Sequence, residues 1–129
     1  MTNSIPLSTK QIGQLRIYIP QGETRRGRGL LSLFGGRALY YDIIHLAKAD
    51  GIINAAAHST HFGYTRGGRI QTAGAEIPNP HLSMCVELID DREKLEAFCC
   101  KHVDVLRDRI LVYKQLELWE LSDVGVTTS

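Results

Sequence analysis

Two short segments place arginine where secondary-structure elements begin or end, and one of them also contains glycine. The run Gly63-Tyr64-Thr65-Arg66 opens a long loop directly after an expected strand, and Arg107-Asp108-Arg109 leads from an expected helix into the last strand. Glycine lets a backbone approach a ligand closely, while arginine offers a planar fork that suits phosphate or carboxylate. Basic residues at the ends of elements are what the binding of a polyphosphate requires. The two segments are therefore candidate parts of an anion-binding site.

Two long loops carry further arginines. The loop over residues 20–36 has seventeen residues with five glycines, and the loop over residues 61–80 has twenty residues with four glycines and two prolines. Connections of this length are usually functional or disordered. Further contacts to an anion are expected from Arg25, Arg26, Arg28 and Arg69. The alternative, that both loops are only solvated surface segments, stays open.

The histidines and cysteines do not form a metal or redox pattern. His58 and His61 are three residues apart, which places them on opposite faces of a strand, so they do not make a ligand pair. Three further histidines have no partner at ligand spacing: His45, His81 and His102. Cys99 and Cys100 lie on and beside the apolar stripe of a helix, which favours buried, unreactive thiols. We predict no metal site.

No catalytic constellation is visible, so we predict no catalytic residue and no enzyme. Ser59 and Ser83 lack the Gly-x-Ser-x-Gly context of an activated serine. A small-molecule enzyme with His58 or His61 as the base remains an alternative. A less favoured alternative is an RNA-binding module that uses the arginine-glycine segments, which lack an accompanying aromatic platform.

Composition limits the class of protein. The chain has 129 residues, of which 43% are hydrophobic and 22% charged, and 15 basic against 14 acidic residues give a net charge of +1. These values indicate one globular domain that does not bind nucleic acid through its charge. Since there is no long apolar run, no secretory signal and no disulfide framework among three cysteines, we expect a cytoplasmic protein without membrane insertion.

The hydrophobic pattern alternates between strand and helix periods. Leu15, Ile17 and Ile19 indicate a strand that Pro20 ends, and the last strand spans 110–121. Between them we predict a helix over 37–50 that stops at Gly51, a strand over 52–60, a strand from residue 82, and a helix whose start at Asp90 resembles a capping box. The domain covers 14–121, and flexible tails cover 1–13 and 122–129. The order β-α-β-β-α-β predicts an α+β, ferredoxin-like fold.

The sheet face without helices is also expected to be partly apolar. The second phase of the strands offers six such residues: Tyr18, Cys85, Ile89, Leu111, Tyr113 and Trp119. Because 129 residues leave no third layer to cover them, self-association is the simplest cover.

From Leu15 to Leu121 the chain resembles the PII-like signalling superfamily, in particular its divergent branch of short proteins catalogued as a domain of unknown function. The resemblance rests on the order and spacing of LRIYI, GGRALYYDII, HFGYTRGGRI, HLSMCVELIDD and RILVYKQLELWEL. It implies a homotrimer with the sheets facing inward and adenine-nucleotide binding in clefts between subunits. It also implies that the loop over 61–80 responds to the ligand and docks onto a target protein.

The resemblance assigns roles to individual residues. Gly63, Tyr64, Thr65 and Arg66 correspond to the family's Gly-Phe-Gly-Arg loop base, so Gly63 would pass near the phosphates and Arg66 would pair with them. The basic residue before the last strand falls on Arg109, with Arg107 nearby.

The chain also departs from the family pattern. Thr65 replaces a glycine, residues 106–108 lack the glycines that ordinary PII proteins carry before the last strand, and the C-terminal basic loop is absent. Fewer phosphate donors favour ADP or AMP over ATP. Because several relatives are associated with inorganic-carbon uptake or carboxysomes, the resemblance further suggests bicarbonate as a second ligand and a transporter or carbon-fixation component as the target.

Overall fold

The computed structural model describes residues 6–20, 38–60, 62–64, 68–73 and 83–122. Within these ranges the chain forms β1 (Leu7–Pro20), α1 (Leu39–Ala49), β2 (Asn54–Ser59), β3 (Phe62–Gly63), β4 (Gln71–Thr72), β5 (Ser83–Asp90), α2 (Arg92–Lys101), α3 (Val103–Leu106) and β6 (Ile110–Leu121).

Four strands form one antiparallel sheet in the order β2-β5-β1-β6, with β2 and β6 at the outside. The helices cover one face of this sheet, so the predicted α+β, ferredoxin-like arrangement is confirmed. A separate two-stranded ladder joins β3 to β4. This ladder lies within the segment over 61–80, which the sequence indicates only as a long loop.

The core lies between the sheet and the helices. Alternate residues of a strand point to the same face, so the odd-numbered apolar residues of β1 and the even-numbered ones of β5 meet the apolar stripes of α1 and α2. The buried hydrophobic cluster comprises Leu15, Ile17, Ile19, Leu39, Ile43, Ala47, Met84, Val86, Leu88, Leu95, Phe98, Val105 and Leu106. Leu15, Ile17 and Ile19, which indicated the first strand, are thus buried as predicted.

The first strand begins earlier than the sequence predicts. Residues 7–13, expected in a flexible tail, belong to β1 and pair with β6 from Leu7 opposite Leu121 to Gly13 opposite Gln115. The backbone N–H of Ser122 extends the pairing by donating to the carbonyl of Pro6 at 2.8 Å. Within the described ranges only β6 pairs with residues 7–12, because β5 ends opposite Gly13. The polar composition therefore hid a segment that is held mainly by backbone hydrogen bonds; residues 1–5 and 123–129 lie outside the described ranges.

The phase of β6 also differs from the prediction. Directly opposed residues of antiparallel strands share a face, and Leu111 and Tyr113 pair with Ile17 and Leu15 of the core. Trp119 has the same odd-numbered phase. The placement of Leu111, Tyr113 and Trp119 on the open face is therefore wrong. The sequence could not fix this phase because β6 is an outer strand with apolar residues in both phases.

The open face is nevertheless partly apolar. Tyr18, Cys85 and Ile89 lie there as predicted, half-buried. The register of β6 adds four residues to this face: Ile110, Val112, Leu116 and Leu118. Val112 is 45% exposed. A partly apolar face without a helix is the feature that the sequence indicated, although with different residues of the last strand.

Asp90 ends β5 and does not cap the following helix. Its carboxylate accepts the backbone N–H of Ile53 at 2.8 Å and of Asp91 at 2.6 Å. The helix begins at Arg92 with Asp91 as its N-cap, and among the described residues the Asp91 side chain makes no capping hydrogen bond. The predicted capping box is therefore wrong, because Asp90 instead joins the chain before β2 to the start of α2.

Candidate functional site

The described residue Gly63 and the 107–109 segment adjoin strand ends that lie at the same end of the sheet. Ser59 ends β2 opposite Met84 at the start of β5, and Ile110 begins β6 opposite Tyr18 near the end of β1. The chain leaves this end of β2 toward Gly63 and enters β6 from the 107–109 segment. Because β2 and β6 are the outer strands, three strand spacings separate them, which is about 14 Å. The segments thus flank the ends of the two central strands.

The 107–109 segment is a type II β-turn. Arg107 has φ −58° and ψ 138°, Asp108 has φ +65°, and the backbone N–H of Arg109 donates to the carbonyl of Leu106 at 3.2 Å. This turn type needs a positive φ at its third residue, where glycine is usual. The missing glycine, read from the sequence as a departure, is therefore replaced by an aspartate in the glycine conformation.

The turn presents its two arginines differently. Arg107 is exposed, whereas Arg109 is half-buried and its Nε–H donates to the carbonyl of Val105 at 3.5 Å, the far limit of a hydrogen bond. Val105 and Leu106 are buried in the core. The turn is therefore anchored to the core through Arg109, Val105 and Leu106, while the side chain of Arg107 is exposed to solvent.

Gly63 provides a stretch of backbone without a side chain in β3, which follows the outer strand β2 along the chain. Its φ of 155° is one that side-chain-bearing residues rarely adopt, and a Cβ built there would meet nothing within 4 Å. Tyr64 is 68% exposed, and Arg69 lies exposed before β4. Thr65 and Arg66, like Arg25, Arg26 and Arg28, lie outside the described residues. Open space beside a glycine suits the close approach of a ligand.

The open face of the sheet carries a charged group at its centre. Arg16 Nε lies 3.1 Å from Glu87 Oε1, and His58 Nε2 lies 3.5 Å from Glu87 Oε2. A hydrogen bond to Tyr18 and the charge of Glu87 raise the pKa of Arg16. Among the described residues the Nε of Arg16 is buried without a hydrogen-bond acceptor, so its contact with Glu87 is an ion pair by distance only. Sequence reasoning missed this group because its members come from three strands.

The remaining candidate residues have structural roles or stand apart. Thr60 Oγ1 donates to the carbonyl of Ser83 at 3.0 Å and lies 3.3 Å from the Ser83 hydroxyl. His61 is outside the described residues. Within the described ranges, no three His, Cys, Asp or Glu residues are grouped so that they could hold a metal ion.

The two adjacent cysteines differ. Burial raises the pKa of Cys99, which is half-buried, so its thiol is held in the unreactive neutral form. Cys100 is exposed. The prediction that both are buried is wrong for Cys100, since successive helical residues are separated by about a quarter turn.

A second polar group joins the end of α1 to the junction between α2 and α3. Asp50, at the end of α1, accepts a hydrogen bond from Lys101 at 2.7 Å and lies 2.7 Å from Nε2 of the buried His102. Asp50 and Lys101 border a cavity of about 380 Å³ that is lined by Asp50, Ile52, Lys94, Ala97, Phe98 and Lys101. No sequence pattern could show this pairing, because 52 residues separate Asp50 from His102.

Comparison with known proteins agrees with this architecture. The family model DUF190, described as an uncharacterized ACR, matches residues 13–118. No curated protein matches the chain in sequence. The part of the chain that the structure describes has no helix both long and apolar enough to cross a membrane.

Solved structures with the same fold include PII-like proteins. CPII from Thiomonas intermedia, a nitrogen regulatory PII-like protein bound to ADP, AMP and bicarbonate, is 7% identical, with 91% of this chain and 94% of that chain covered and a TM-score of 0.55. A CPII structure with ADP and bicarbonate is 8% identical, with coverages of 91% and 95% and a TM-score of 0.53. A PII-like signaling protein from Thermus thermophilus is 11% identical, with coverages of 88% and 92% and a TM-score of 0.51. At these identities the likeness establishes the fold.

Proposed function

The chain belongs to the DUF190 family, a divergent part of the PII-like superfamily, and we propose that it is a non-enzymatic regulator that binds an adenine nucleotide. The observation that carries the proposal is the placement of the Gly63 segment and the Arg107–Arg109 turn at one end of the sheet. The CPII structures that share the fold contain ADP, AMP and bicarbonate, which supports the same ligand class.

The phosphates of the nucleotide would lie over the ends of the central strands. Arginine at a tight turn provides charge-assisted donors, and the glycine backbone allows the ligand to approach closely. Arg66 would add a further cation from the loop after β3. With a single arginine turn and no second basic segment among the described residues at this end, the site has few phosphate donors, which favours ADP or AMP over ATP.

The nucleotide site would lie between subunits of a homotrimer. The partly apolar open face supports a second copy as its cover, since a sheet face that includes Ile89 and Val112 is more stable when it is removed from water. The buried Nε of Arg16 gives independent support, because a neighbouring subunit could supply the acceptor that it lacks among the described residues.

The regulatory step would be a change of the loop over 61–80. A ligand shifts a conformational equilibrium only by binding the two states unequally. Phosphates that contact Gly63 and Arg66 would bind one loop arrangement more tightly and so change the affinity for a target protein, such as a transporter or a carbon-fixation component. Bicarbonate would act as a second small anion at Arg69 or at the arginines of the 20–36 loop.

The location of the site can be tested by titrating labelled protein with ADP and following its NMR resonances. We expect the amides of Gly63, Tyr64 and Arg109 and the Nε–H of Arg107 to shift in proportion to saturation. The amide of Asp91, at the other end of the sheet, is the internal control and should not move. Shifts confined to Lys94 and Lys101, which line the cavity beside Asp50, would overturn the proposed location.

A further inference from the structure

His102 occupies the junction between α2 and α3. It ends α2 and begins α3 with φ −113° and ψ 33°, so the helical path bends at this residue. Only 8% of the residue is exposed. A buried histidine at a bend needs partners that fix its ring, and the described residues provide two.

The ring of His102 is held by Phe98 and Asp50. The rings of Phe98 and His102 have centroids 4.6 Å apart, and Nε2 lies 2.7 Å from Asp50 Oδ2. The other carboxylate oxygen of Asp50 accepts from Lys101. First the hydrogen bond of Lys101 and then that of His102 lower the pKa of Asp50, so this carboxylate is ionised at neutral pH. The negative end of the α1 dipole lies at the same place and also favours cations.

A continuous set of backbone hydrogen bonds joins His102 to the arginine turn. The carbonyl of His102 accepts from Val105 and Leu106 at 3.0 Å each, the carbonyl of Val103 accepts from Arg107 at 2.8 Å, and the carbonyl of Leu106 accepts from Arg109 at 3.2 Å. α3 has only four residues, so little chain lies between the bend and the turn. A displacement of His102 would therefore reorient Arg107.

We propose that the His102–Asp50 pair positions the Arg107–Arg109 turn, so that protonation of His102 strengthens nucleotide binding. This inference rests on the proposed function, because it concerns the arginine part of that site. Neither His102 nor Asp50 contacts the ligand; both are positioning residues. They act through the bend and through α3.

The direction of the pH effect follows from charge. A neutral imidazole can donate its Nε2–H to Asp50, but a protonated one adds an ion pair in a shielded environment. Histidine ordinarily changes its charge between pH 5 and 8. The charged groups that face the ring are Asp50 from the end of α1 and Lys101 from α2; Lys94 of α2 lies across the cavity, where it donates to the carbonyl of Gly51. Cys99, one helical turn before His102, is neutral.

The test compares nucleotide affinity in the unmodified protein and in Asp50→Asn between pH 5.5 and 8.5. The ratio of the two ADP dissociation constants cancels the titration of the phosphate itself. We expect Asp50→Asn to bind roughly 2- to 30-fold more weakly at pH 5.5. The ratio should fall toward one at pH 8.5. A ratio that does not change with pH would overturn the proposal, since a purely structural role of Asp50 has that signature.

Two further variants separate the pair from its surroundings. Lys101→Met removes the other partner of Asp50 and leaves His102 in place, so its ratio to the unmodified protein should stay near one at every pH. His102→Gln keeps a donor for Asp50 but cannot titrate. The ratio of its ADP dissociation constant to that of the unmodified protein should be largest at pH 5.5 and should approach one at pH 8.5.

A measurement without nucleotide keeps the inference distinct from the proposed function. The amides of Arg107 and Arg109 should follow the NMR titration of the His102 ring with the same midpoint, and this response should vanish in His102→Gln. If no adenine nucleotide binds the protein, the proposed function fails and this titration alone decides whether the pair positions the turn. Arginine amides that ignore the His102 titration would overturn the inference whether or not ADP binds.

Discussion

The two ends of the four-stranded sheet use polar residues in different ways. At the end where β5 stops, the carboxylate of Asp90 is buried and saturated by the backbone N–H groups of Ile53 and Asp91. At the opposite end, Arg107 and Tyr64 are exposed beside a turn and a glycine with positive φ. The first arrangement satisfies the chain's own hydrogen-bonding groups. The second leaves donors available to a ligand, so polar residues contribute stability at one end and recognition at the other.

The largest effect on stability is expected from Asp90→Ala. Removing this carboxylate leaves two backbone N–H groups without their acceptor, which should lower the free energy of unfolding by about 2–4 kcal/mol. Urea unfolding measures the loss. Asp91→Ala is the matched control: its side chain is 50% exposed and lies 3.9 Å from Lys10, so it should cost less than about 1 kcal/mol. Equal losses for the two variants would contradict the distinction between these neighbours.

The same residue predicts an acid dependence. Burial acts to raise the pKa of Asp90, but the hydrogen bonds from Asp91 and Ile53 and the charge of Lys94 outweigh it, so the pKa lies below its usual value. Because the pKa is lowered in the folded state, the Asp90 carboxylate contributes its full stability above the unfolded pKa of about 3.9. This contribution to the free energy of unfolding disappears as the pH falls through the folded pKa. The stability difference between the unmodified protein and Asp90→Asn should therefore shrink as the pH is lowered from 5 toward 2. A difference that grows in acid would contradict the assignment.

At the opposite end, Arg109→Ala should impair binding. Loss of a charge-assisted hydrogen bond of about 1.5–3 kcal/mol corresponds to a roughly 10- to 150-fold weaker affinity for ADP. Calorimetry measures the affinity, and urea unfolding shows whether the variant is folded. Arg92→Ala is the control, because Arg92 lies over the Tyr113 ring at 5.1 Å on α2 and outside the proposed site. Unchanged affinity in Arg109→Ala would remove this residue from the site.

Gly13, which lies opposite Asp90 at the first end of the sheet, tests the packing of β1 against β6. An added Cβ would lie 2.5 Å from Cε1 of Tyr113, so Gly13→Ala must displace that ring. We expect a loss of about 1–3 kcal/mol in the free energy of unfolding. Truncation of Tyr113 to alanine should make the Gly13→Ala substitution nearly neutral in the double variant. If the losses in the free energy of unfolding of the two single variants simply add in the double variant, the close approach of Gly13 and Tyr113 does not cause the loss of stability in Gly13→Ala.

The smallest effect is expected from Asp108→Gly. Because Asp108 has φ +65°, glycine should relieve backbone strain and raise the free energy of unfolding by about 0.5 kcal/mol. Thermal unfolding should record the gain. Asp104→Gly in α3 provides the opposite control, since glycine within a helix costs about 1 kcal/mol. A loss at position 108 would contradict the type II turn.

The sequence predicts the central strands well for a physical reason. Ile17 and Val86 belong to strands with neighbours on both sides and helices on one face, so burial selects apolar residues at every second position. In β6, an outer strand, Leu111 and Val112 are 39% and 45% exposed. With both phases accessible, burial does not select one of them, and the predicted phase was wrong.

The site could be predicted only in part. Arginine at the boundary between a helix and a strand indicated the 107–109 segment, and glycine indicated residue 63. The sequence could not show that Asp108 adopts the glycine conformation, because aspartate tolerates positive φ without requiring it. Nor could it connect His102 to Asp50, since this contact depends on how α1 packs against α2 and not on spacing along the chain.

The most direct test of the account is calorimetric titration of the unmodified protein with AMP, ADP and ATP, each with and without bicarbonate. The account predicts saturable binding of one nucleotide per subunit, tighter for ADP or AMP than for ATP and strengthened by bicarbonate. The absence of binding by all three nucleotides under both conditions would contradict the proposed function.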